Sequence, residues 1–471
     1  MKKILIGLSA VLLSAGSLVS CGEKAGGGTA DAVAKASQMT IEQLAEASKK
    51  EFEENAGETF KVVGLTSVLQ SVAKTFSAKY DWVHFGEEGV TDNVYVKNDY
   101  KDYTLLTALD TADKSYFADY ALVQDARSFS TYLQDGILHN YVPKDWEALG
   151  LKEEDTLPLK GVHFNKLFWT NTNFETVNGF KLYNIWQVAG KKTDKDHCSK
   201  VSFQTPVTEQ INMSFLVSCY ADENQERIAA AYKKFYGKDW ACPEGKDYKN
   251  AGEQWVDEFI TNISYWHSSD GTAMKETQLK DDWKAGYVYY GAFAKMKDAA
   301  GRYYEIEGMN EDPILKTLVK ENVDVFVETY KDENGKTKDR TRKASGVNAM
   351  ATVKWDWEIE GFNGFMYCMD SQIVNNAKFP YTACLFARTL LEEESYTTAI
   401  YNKKNPDAAG NAANQYGYYY PGTVSAEFKY AKGDWTKETH IANEINENYA
   451  FLKSVKSSLV QSILVKVSSK K

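Results

Sequence analysis

Polar side chains that follow predicted strands are the residues of this chain whose type and spacing suggest chemistry. Thr66 and Ser67 follow the β-branched run 60–64 after one residue, Leu65, and come directly before an apolar stripe at helical spacing. Hydroxyl groups at the amino terminus of a helix suit an anionic or polar ligand, although they also serve as helix caps. Asp125 and Arg127 follow a second strand in the same way. These four residues therefore predict reversible binding of a small molecule at the carboxyl ends of strands.

Two later segments extend this prediction. Thr170 and Asn171 end an apolar strand that is expected to cross between two lobes, and Trp357 and Asn363 lie near a strand that returns. Aromatic faces and amide groups are common in pockets for small polar solutes. The alternative role of each residue is local, in a turn, a cap or the core.

Cys21 has a different chemistry, because its thiol follows a short apolar run at the amino terminus. Lys2 and Lys3 precede that run, which is too short to span a bilayer and is typical of a secretory signal. The tetrapeptide Leu-Val-Ser-Cys that ends at Cys21 resembles the bacterial lipobox, whose cysteine is diacylated and becomes the new amino terminus. An ordinary signal peptide with a chance cysteine is the alternative. The resemblance implies a location in the cell envelope, at the outer face of the cytoplasmic membrane or in the periplasm, with a lipid as the membrane anchor.

The sequence lacks the common catalytic motifs. It contains no Gly-x-Ser-x-Gly and no His-Glu-x-x-His pattern, and its six histidines have no ligand-like spacing. Asp356, Glu358 and Glu360 would share one face of a strand, which is typical of a solvated surface. We therefore predict no catalytic residue, no resident metal and no cofactor. A glycan-active enzyme with paired carboxylates and a structural or adhesive surface lipoprotein remain the alternative functions.

Composition narrows the class of partner and the domain count. The 471 residues include 65 acidic and 55 basic side chains, and the net charge of −10 argues against nucleic acid. The length is too great for one simple core and indicates two or three lobes. Five cysteines follow Cys21. Cys198, Cys219 and Cys242 could include a disulfide, and buried free thiols are the alternative state.

The periodicity alternates between strands and helices. Thr40 and Gln43 form a capping-box pattern at the start of a helix that extends to Glu54. The strand 60–64, a polar turn and a helix follow, which is the opening of an α/β lobe. The charged segment 331–344 predicts an exposed loop or hairpin, and apolar residues from Leu452 to Ile463 predict one final amphipathic helix.

The order of these pieces resembles the extracellular solute-binding proteins of bacterial ABC importers. Four segments resemble that family, at residues 44–63, 119–143, 162–173 and 361–394. In the last segment the resemblance rests on the motifs Asn-Ala-Lys-Phe-Pro and Leu-Leu-Glu-Glu-Glu. The final segment, 402–471, departs from the pattern. The resemblance implies an α/β protein with the two-lobed type II periplasmic-binding fold, in which mixed central sheets are flanked by helices and a ligand cleft lies between the lobes.

The same resemblance implies a division of the chain and a set of partners. The partners are a small solute and an ABC permease in the membrane, and the protein is a monomer. The expected division is a signal at 1–20, a flexible tether at 21–36, a first lobe at 37–170, a second lobe at 171–345, and a return segment with C-terminal helices across the lobes at 346–471.

The solute is expected to be a carbohydrate, because aromatic side chains are abundant, with ferric iron or a polyamine as alternatives. Ferric iron binders of this broad class use adjacent tyrosines, since a phenolate is a hard anionic donor. The adjacent tyrosines are Tyr289–Tyr290, Tyr303–Tyr304 and Tyr418–Tyr419–Tyr420.

Overall fold

The structure is a computed structural model. It describes residues 28–64, 68–97, 105, 108–109, 116–124, 126–171, 174–190, 196–198, 200–277, 286–292, 305–307, 314–316, 323–344, 353–354, 359–392, 395, 420–421 and 437–470. Five residues selected from the sequence lie outside this set, namely Cys21, Thr66, Ser67, Asp125 and Trp357.

Three parallel strands form one side of the main sheet. They are β1 (Phe60–Val63), β2 (Val94–Lys97) and β3 (Tyr120–Val123), in the order β2-β1-β3. Strand β3 then pairs antiparallel with the carboxyl-terminal part of β14 (Gly364–Val374). We call β2, β1, β3 and this part of β14 half-sheet 1. All four residues of β3 are buried, as expected for a parallel strand that is covered on both faces.

The other side of the main sheet repeats this arrangement. Strands β6 (Val201–Gln204), β7 (Ile263–His267) and β8 (Val288–Ala292) are parallel, in the order β7-β6-β8. Strand β8 pairs antiparallel with the carboxyl-terminal part of β5 (Lys160–Asn171). We call β7, β6, β8 and this part of β5 half-sheet 2.

Strands β5 and β14 join the two half-sheets. They pair antiparallel from Leu167 opposite Gly364 to Lys160 opposite Asp370, and all of β14 is buried. Each of the two long strands therefore belongs to both half-sheets. The predicted α/β class with mixed sheets flanked by helices is confirmed.

The remaining strands are short or peripheral. The segment 323–344 forms a separate two-stranded hairpin, so the hairpin alternative predicted for residues 331–344 is confirmed. The remaining strands, including the two of this hairpin, are β4 (Leu138–His139), β9 (Glu305–Glu307), β10 (Ile314–Lys316), β11 (Val323–Lys331), β12 (Thr337–Ala344), β13 (Val353–Lys354), β15 (Tyr420–Pro421) and β16 (Ile445–Asn446).

Helices cover both half-sheets. Phe60 of β1 contacts the rings of Phe76 and Phe386 on one side of the molecule, and Phe168 of β5 contacts Phe215 and Phe259 on the other. The helices are α1 (Thr29–Ala36), α2 (Ile41–Glu54), α3 (Val68–Lys79), α4 (Ala126–Gln134), α5 (Phe174–Asn178), α6 (Trp186–Ala189), α7 (Gln210–Ser218), α8 (Asp222–Tyr236), α9 (Ala251–Asn262), α10 (Asp270–Thr277), α11 (Pro380–Leu390), α12 (Lys437–Asn443), α13 (Tyr449–Leu452) and α14 (Ser457–Ser468). None of these helices is both long and apolar enough to span a bilayer.

Several boundaries differ from the sequence prediction. Residues 29–36 of the predicted flexible tether form helix α1, whose Ala36 is fully buried. The predicted final helix is two helices, because the chain leaves helical geometry between Leu452 and Ser457. The capping box of Thr40 and Gln43 is confirmed. The domain boundaries given above stay a prediction.

The cysteines of the described residues are all free thiols, so no disulfide joins Cys198, Cys219 and Cys242. Cys198, Cys219, Cys368 and Cys384 are buried, whereas Cys242 is exposed. Burial raises the pKa of the Cys219 and Cys384 thiols well above the usual value, which keeps them protonated.

Gly364 is predicted to be essential to the pairing of β5 and β14. A Cβ atom there would lie 2.1 Å from the carbonyl oxygen of Lys166 and 2.8 Å from the Cα of Leu167. Because both atoms belong to the backbone, they cannot move aside as a flexible side chain could. Gly364→Ala is therefore expected to lower the free energy of unfolding by about 1–3 kcal/mol or more, as measured in a urea titration. Gly271→Ala, in helix α10 with its nearest atom at 3.8 Å, is the control and is expected to be neutral or stabilising. Equal effects of the two variants would contradict the prediction.

Candidate functional site

The strand registers bring the carboxyl ends of the two half-sheets to face each other. Val123, the last residue of β3, lies opposite Asp370 of β14. The earlier residues of β14, from Met369 back to Gly364, extend from there toward half-sheet 2. Ala292, the last residue of β8, lies opposite Lys166 of β5. The earlier residues of β5, from Asn165 back to Lys160, extend from there toward half-sheet 1. Ligands of open α/β sheets bind beyond the carboxyl ends of strands. The gap between the two edges is therefore the candidate site.

The size of the gap follows from β14. Asp370 and Phe365, which lie opposite Val123 and Lys166 respectively, are five residues apart on that strand. At the usual rise of a strand, the two edges are separated by about 17 Å along β14. This is enough for a small solute with side chains around it.

A hydrogen bond between two described residues crosses the gap. Arg127, in the first turn of α4, donates from Nη2 to Oε1 of Gln210, the first residue of α7. Helix α4 follows β3 of half-sheet 1, and α7 follows β6 of half-sheet 2. The side chain of Arg127 is half-buried. The predicted site residue Arg127 therefore lies at the gap.

Lys166 forms the centre of the site on half-sheet 2. Its Nζ lies 3.3 Å from Oδ2 of Asp270, 3.6 Å from Oε2 of Glu209 and 3.2 Å from Oδ1 of Asn212. Only 3% of its side chain is exposed. Burial lowers the pKa of the ammonium group, but Asp270 and Glu209 more than offset this, so the net shift is upward and Lys166 stays charged.

His267 completes the buried part of the site. Its Nδ1 lies 2.9 Å from the hydroxyl oxygen of Ser202, and its Nε2 lies 4.0 Å from Oδ1 of Asp270. Nε2 and this Oδ1 are buried, and neither has a hydrogen-bond partner among the described residues. Burial lowers the pKa of His267 to about 4, Asp270 opposes this shift and Lys166 adds to it, so the ring is neutral at neutral pH. A donor group placed between these two atoms would satisfy the carboxylate.

The other predicted site residues that are described lie farther from the gap. Thr170 is opposite Val288, the first residue of β8, so it lies at the far end of β5, and Asn171 follows it. Asn363 is buried next to the core of half-sheet 2, where its carbonyl accepts from the amide of Phe168. The structure therefore does not bring Thr170 and Asn363 to the same edge as Arg127.

Thr66, Ser67, Asp125 and Trp357 stay predictions, since they lie outside the described residues. The chain on either side of the first three is described. Gly64 and Val68 border residues 65–67, and Gln124 and Ala126 border Asp125. Gly64 and Gln124 directly follow β1 and β3, so they lie at the edge of half-sheet 1 that faces the gap.

Sequence reasoning missed the half-sheet 2 part of the site, namely Lys166, Glu209, Gln210, Asn212, His267 and Asp270. One signal was available, because Lys166 is the one lysine or arginine in the largely apolar run Val-His-Phe-Asn-Lys-Leu-Phe-Trp. A buried cation requires a nearby anion. Its partners are 43 and 104 residues away in the sequence, however, and only the tertiary fold shows which carboxylates they are.

The adjacent tyrosines fall in different places. Tyr289 and Tyr290 are in the core of half-sheet 2, where Tyr290 stacks on Phe215 with ring centroids 4.7 Å apart. Burial raises the pKa of Tyr290 far above its usual value, which favours the protonated phenol. Tyr420 belongs to β15, which pairs with β5 at His163, on the edge of β5 that β8 leaves free. The backbone of Tyr420 therefore lies at the gap, about 10 Å along β5 from Lys166.

Among the described residues, no three His, Cys, Asp or Glu side chains are grouped so that they could hold a metal ion. Tyr303, Tyr304, Tyr418 and Tyr419 lie outside the described residues.

Comparisons with known proteins give structural likeness alone. No protein-family model and no curated protein matches the chain. The apo ferric ion-binding protein A of Pasteurella haemolytica is similar with a TM-score of 0.48 at 10% identity, over 88% of this chain and 98% of that one. An ABC transporter substrate-binding protein of Bradyrhizobium japonicum is similar with a TM-score of 0.46 at 11% identity, over 87% and 99%.

A third similar structure is Trichodesmium IdiA, or FutA, in complex with iron and citrate, with a TM-score of 0.44 at 12% identity, over 88% of this chain and 99% of that one. These three proteins are solute-binding or iron-binding by name. At such identities and TM-scores the likeness assigns neither function nor solute to this chain.

Proposed function

We propose that this protein is the substrate-binding protein of an ABC importer, which encloses a small solute between two half-sheets and presents it to a membrane permease. The observation that supports this most is the register of β5 and β14, which aims the carboxyl ends of both half-sheets into one gap. Two shared strands can bend at the gap while each half-sheet stays rigid, which is the geometry of hinge closure.

We propose ferric iron as the first solute to test. Fe³⁺ is a hard cation, and phenolate is a hard anionic donor. The tyrosine run 418–420 supports this choice because β15 places its last member beside the crossover strand. Tyr289 and Tyr290 do not support it, because both rings are in the core.

The other two solutes suggested by the sequence gain less support. The largest buried tryptophans, Trp169, Trp186 and Trp255, are part of the core and offer no stacking face to a carbohydrate. For a polyamine, the gap would need excess negative charge. Around α7, the cations Lys166 and Arg127 balance the carboxylates of Glu209 and Asp270.

Binding of ferric citrate is predicted to raise the melting temperature of the protein and to give a visible phenolate-to-iron charge-transfer band. Thermal stabilisation grows with the logarithm of ligand excess. Replacement of Tyr418, Tyr419 and Tyr420 by Phe is expected to abolish the band, because Phe keeps the ring and removes the donor oxygen. Tyr95→Phe, at a side chain that is 51% exposed on β2, is the matched control and is expected to leave the band intact.

The same thermal screen includes sugars, spermidine and citrate alone. A shift with a sugar or spermidine and none with ferric citrate would reject iron and keep the binding role. The binding role itself would be rejected if no compound in the panel shifted the melting temperature and the protein hydrolysed a glycan.

We propose that diacylated Cys21 anchors the protein to the membrane, where it acts as a monomer. The lipobox tetrapeptide supports this, and helix α1 begins only eight residues after Cys21. The folded part would therefore stay close to the bilayer surface. Cys21→Ser is predicted to move the protein from the membrane fraction to the soluble fraction. Retention of the variant in washed membranes would contradict the anchor, and the variant Cys242→Ser, at the exposed thiol, is the control.

A further inference from the structure

The hydrogen bond between Arg127 and Gln210 joins two helices that belong to different half-sheets. We propose that this pair is a latch, which holds the gap closed before any solute binds and thereby sets the affinity for solute. The inference rests on the proposed solute-binding function, and it assigns Gln210 a role that the sequence did not suggest.

The half-sheet 2 side of the latch is rigidly held. Gln210 follows Glu209, which is in contact with Lys166 at 3.6 Å. Asn212, one half-turn further, accepts from Lys166 and donates from Nδ2 to the carbonyl of Gln204 at 2.9 Å. The first turn of α7 is thus fixed to β5 and to the end of β6, so Gln210 moves with half-sheet 2.

The half-sheet 1 side is fixed by chain connectivity. Arg127 lies three residues after Gln124, which follows the last residue of β3. Helix α13 contacts both α4 and α7, so it forms a third link near the hinge. Rotation of one half-sheet about β5 and β14 would separate Arg127 from Gln210. The hydrogen bond can therefore exist only in closed arrangements.

A latch changes solute affinity without a direct contact to the solute. The apparent dissociation constant rises as the fraction of closed protein falls. A hydrogen bond from a charged donor that is partly shielded from water is expected to change the ratio of closed to open protein by roughly tenfold. Loss of the latch would weaken solute binding by about the same factor.

Energy transfer between two fluorophores tests the latch in solute-free protein. The protein for this test begins at Gly22, so that Cys21 is absent. Its one exposed thiol among the described residues is Cys242, beside half-sheet 2. Glu88→Cys adds a second exposed thiol beside half-sheet 1, and the two thiols take the two fluorophores. Arg127→Ala and Gln210→Ala are each expected to lower transfer efficiency, and the double variant is expected to lower it no further than either alone. Gln210→Glu is expected to raise it, because a carboxylate accepts from arginine more strongly.

Lys233→Ala, at an exposed cation that pairs with Asp239, is the control for loss of a positive charge and is expected to change nothing. Unchanged transfer efficiency in Arg127→Ala and Gln210→Ala, or additive effects of the two, would overturn the latch. The measurement contains no solute, so failure of the proposed function in the thermal screen would be a separate result.

Discussion

The pairing of β5 with β14 is the constraint on which the rest of this structure depends. These two strands lie in the middle of one continuous sheet. The carboxyl-terminal part of β14 pairs with β3 of half-sheet 1, and the carboxyl-terminal part of β5 pairs with β8 of half-sheet 2. Because parallel strands share a direction, the antiparallel registers of β3 with β14 and of β8 with β5 oblige both sets to aim their carboxyl ends at the same gap. Gly364 makes the close approach possible, since any side chain there would meet the backbone of Lys166.

The charges of the gap depend on the same strands. Lys166 lies on β5 where β8 ends, and its ammonium group is almost fully buried between Glu209 and Asp270. A buried charge without a partner would be costly, so these contacts fix the first turn of α7 and the start of α10 relative to the sheet. Nε2 of His267 and Oδ1 of Asp270 are buried without a described hydrogen-bond partner and lie 4.0 Å apart. The site therefore has one electrostatically satisfied cluster and, beside it, one pair of buried polar atoms whose hydrogen bonds are unmade among the described residues.

The sequence predicted local elements better than it predicted the site. The capping box of Thr40 and Gln43 and the alternation of strands and helices depend on neighbouring residues, and the structure confirms them. Arg127 was selected because it follows a strand end, which is a local feature, and the structure places it at the gap. Glu209, His267 and Asp270 were missed, because their role depends on Lys166, which is distant in sequence. Thr170 was expected near a crossover, and the register puts it at the far end of β5 from the gap, because periodicity holds no information about register.

The central claim is that solute binds between the facing carboxyl ends of the two half-sheets. Hydrogen–deuterium exchange with and without ferric citrate, or with whichever solute the thermal screen identifies, tests it directly. We expect added protection in the segments that follow β3, β6 and β7, at residues 124–128, 205–212 and 267–272. We expect no change at the amino ends of β1 and β2, at residues 56–59 and 91–93. Protection confined to those amino-end loops, with none at the three carboxyl-end segments, would contradict the account.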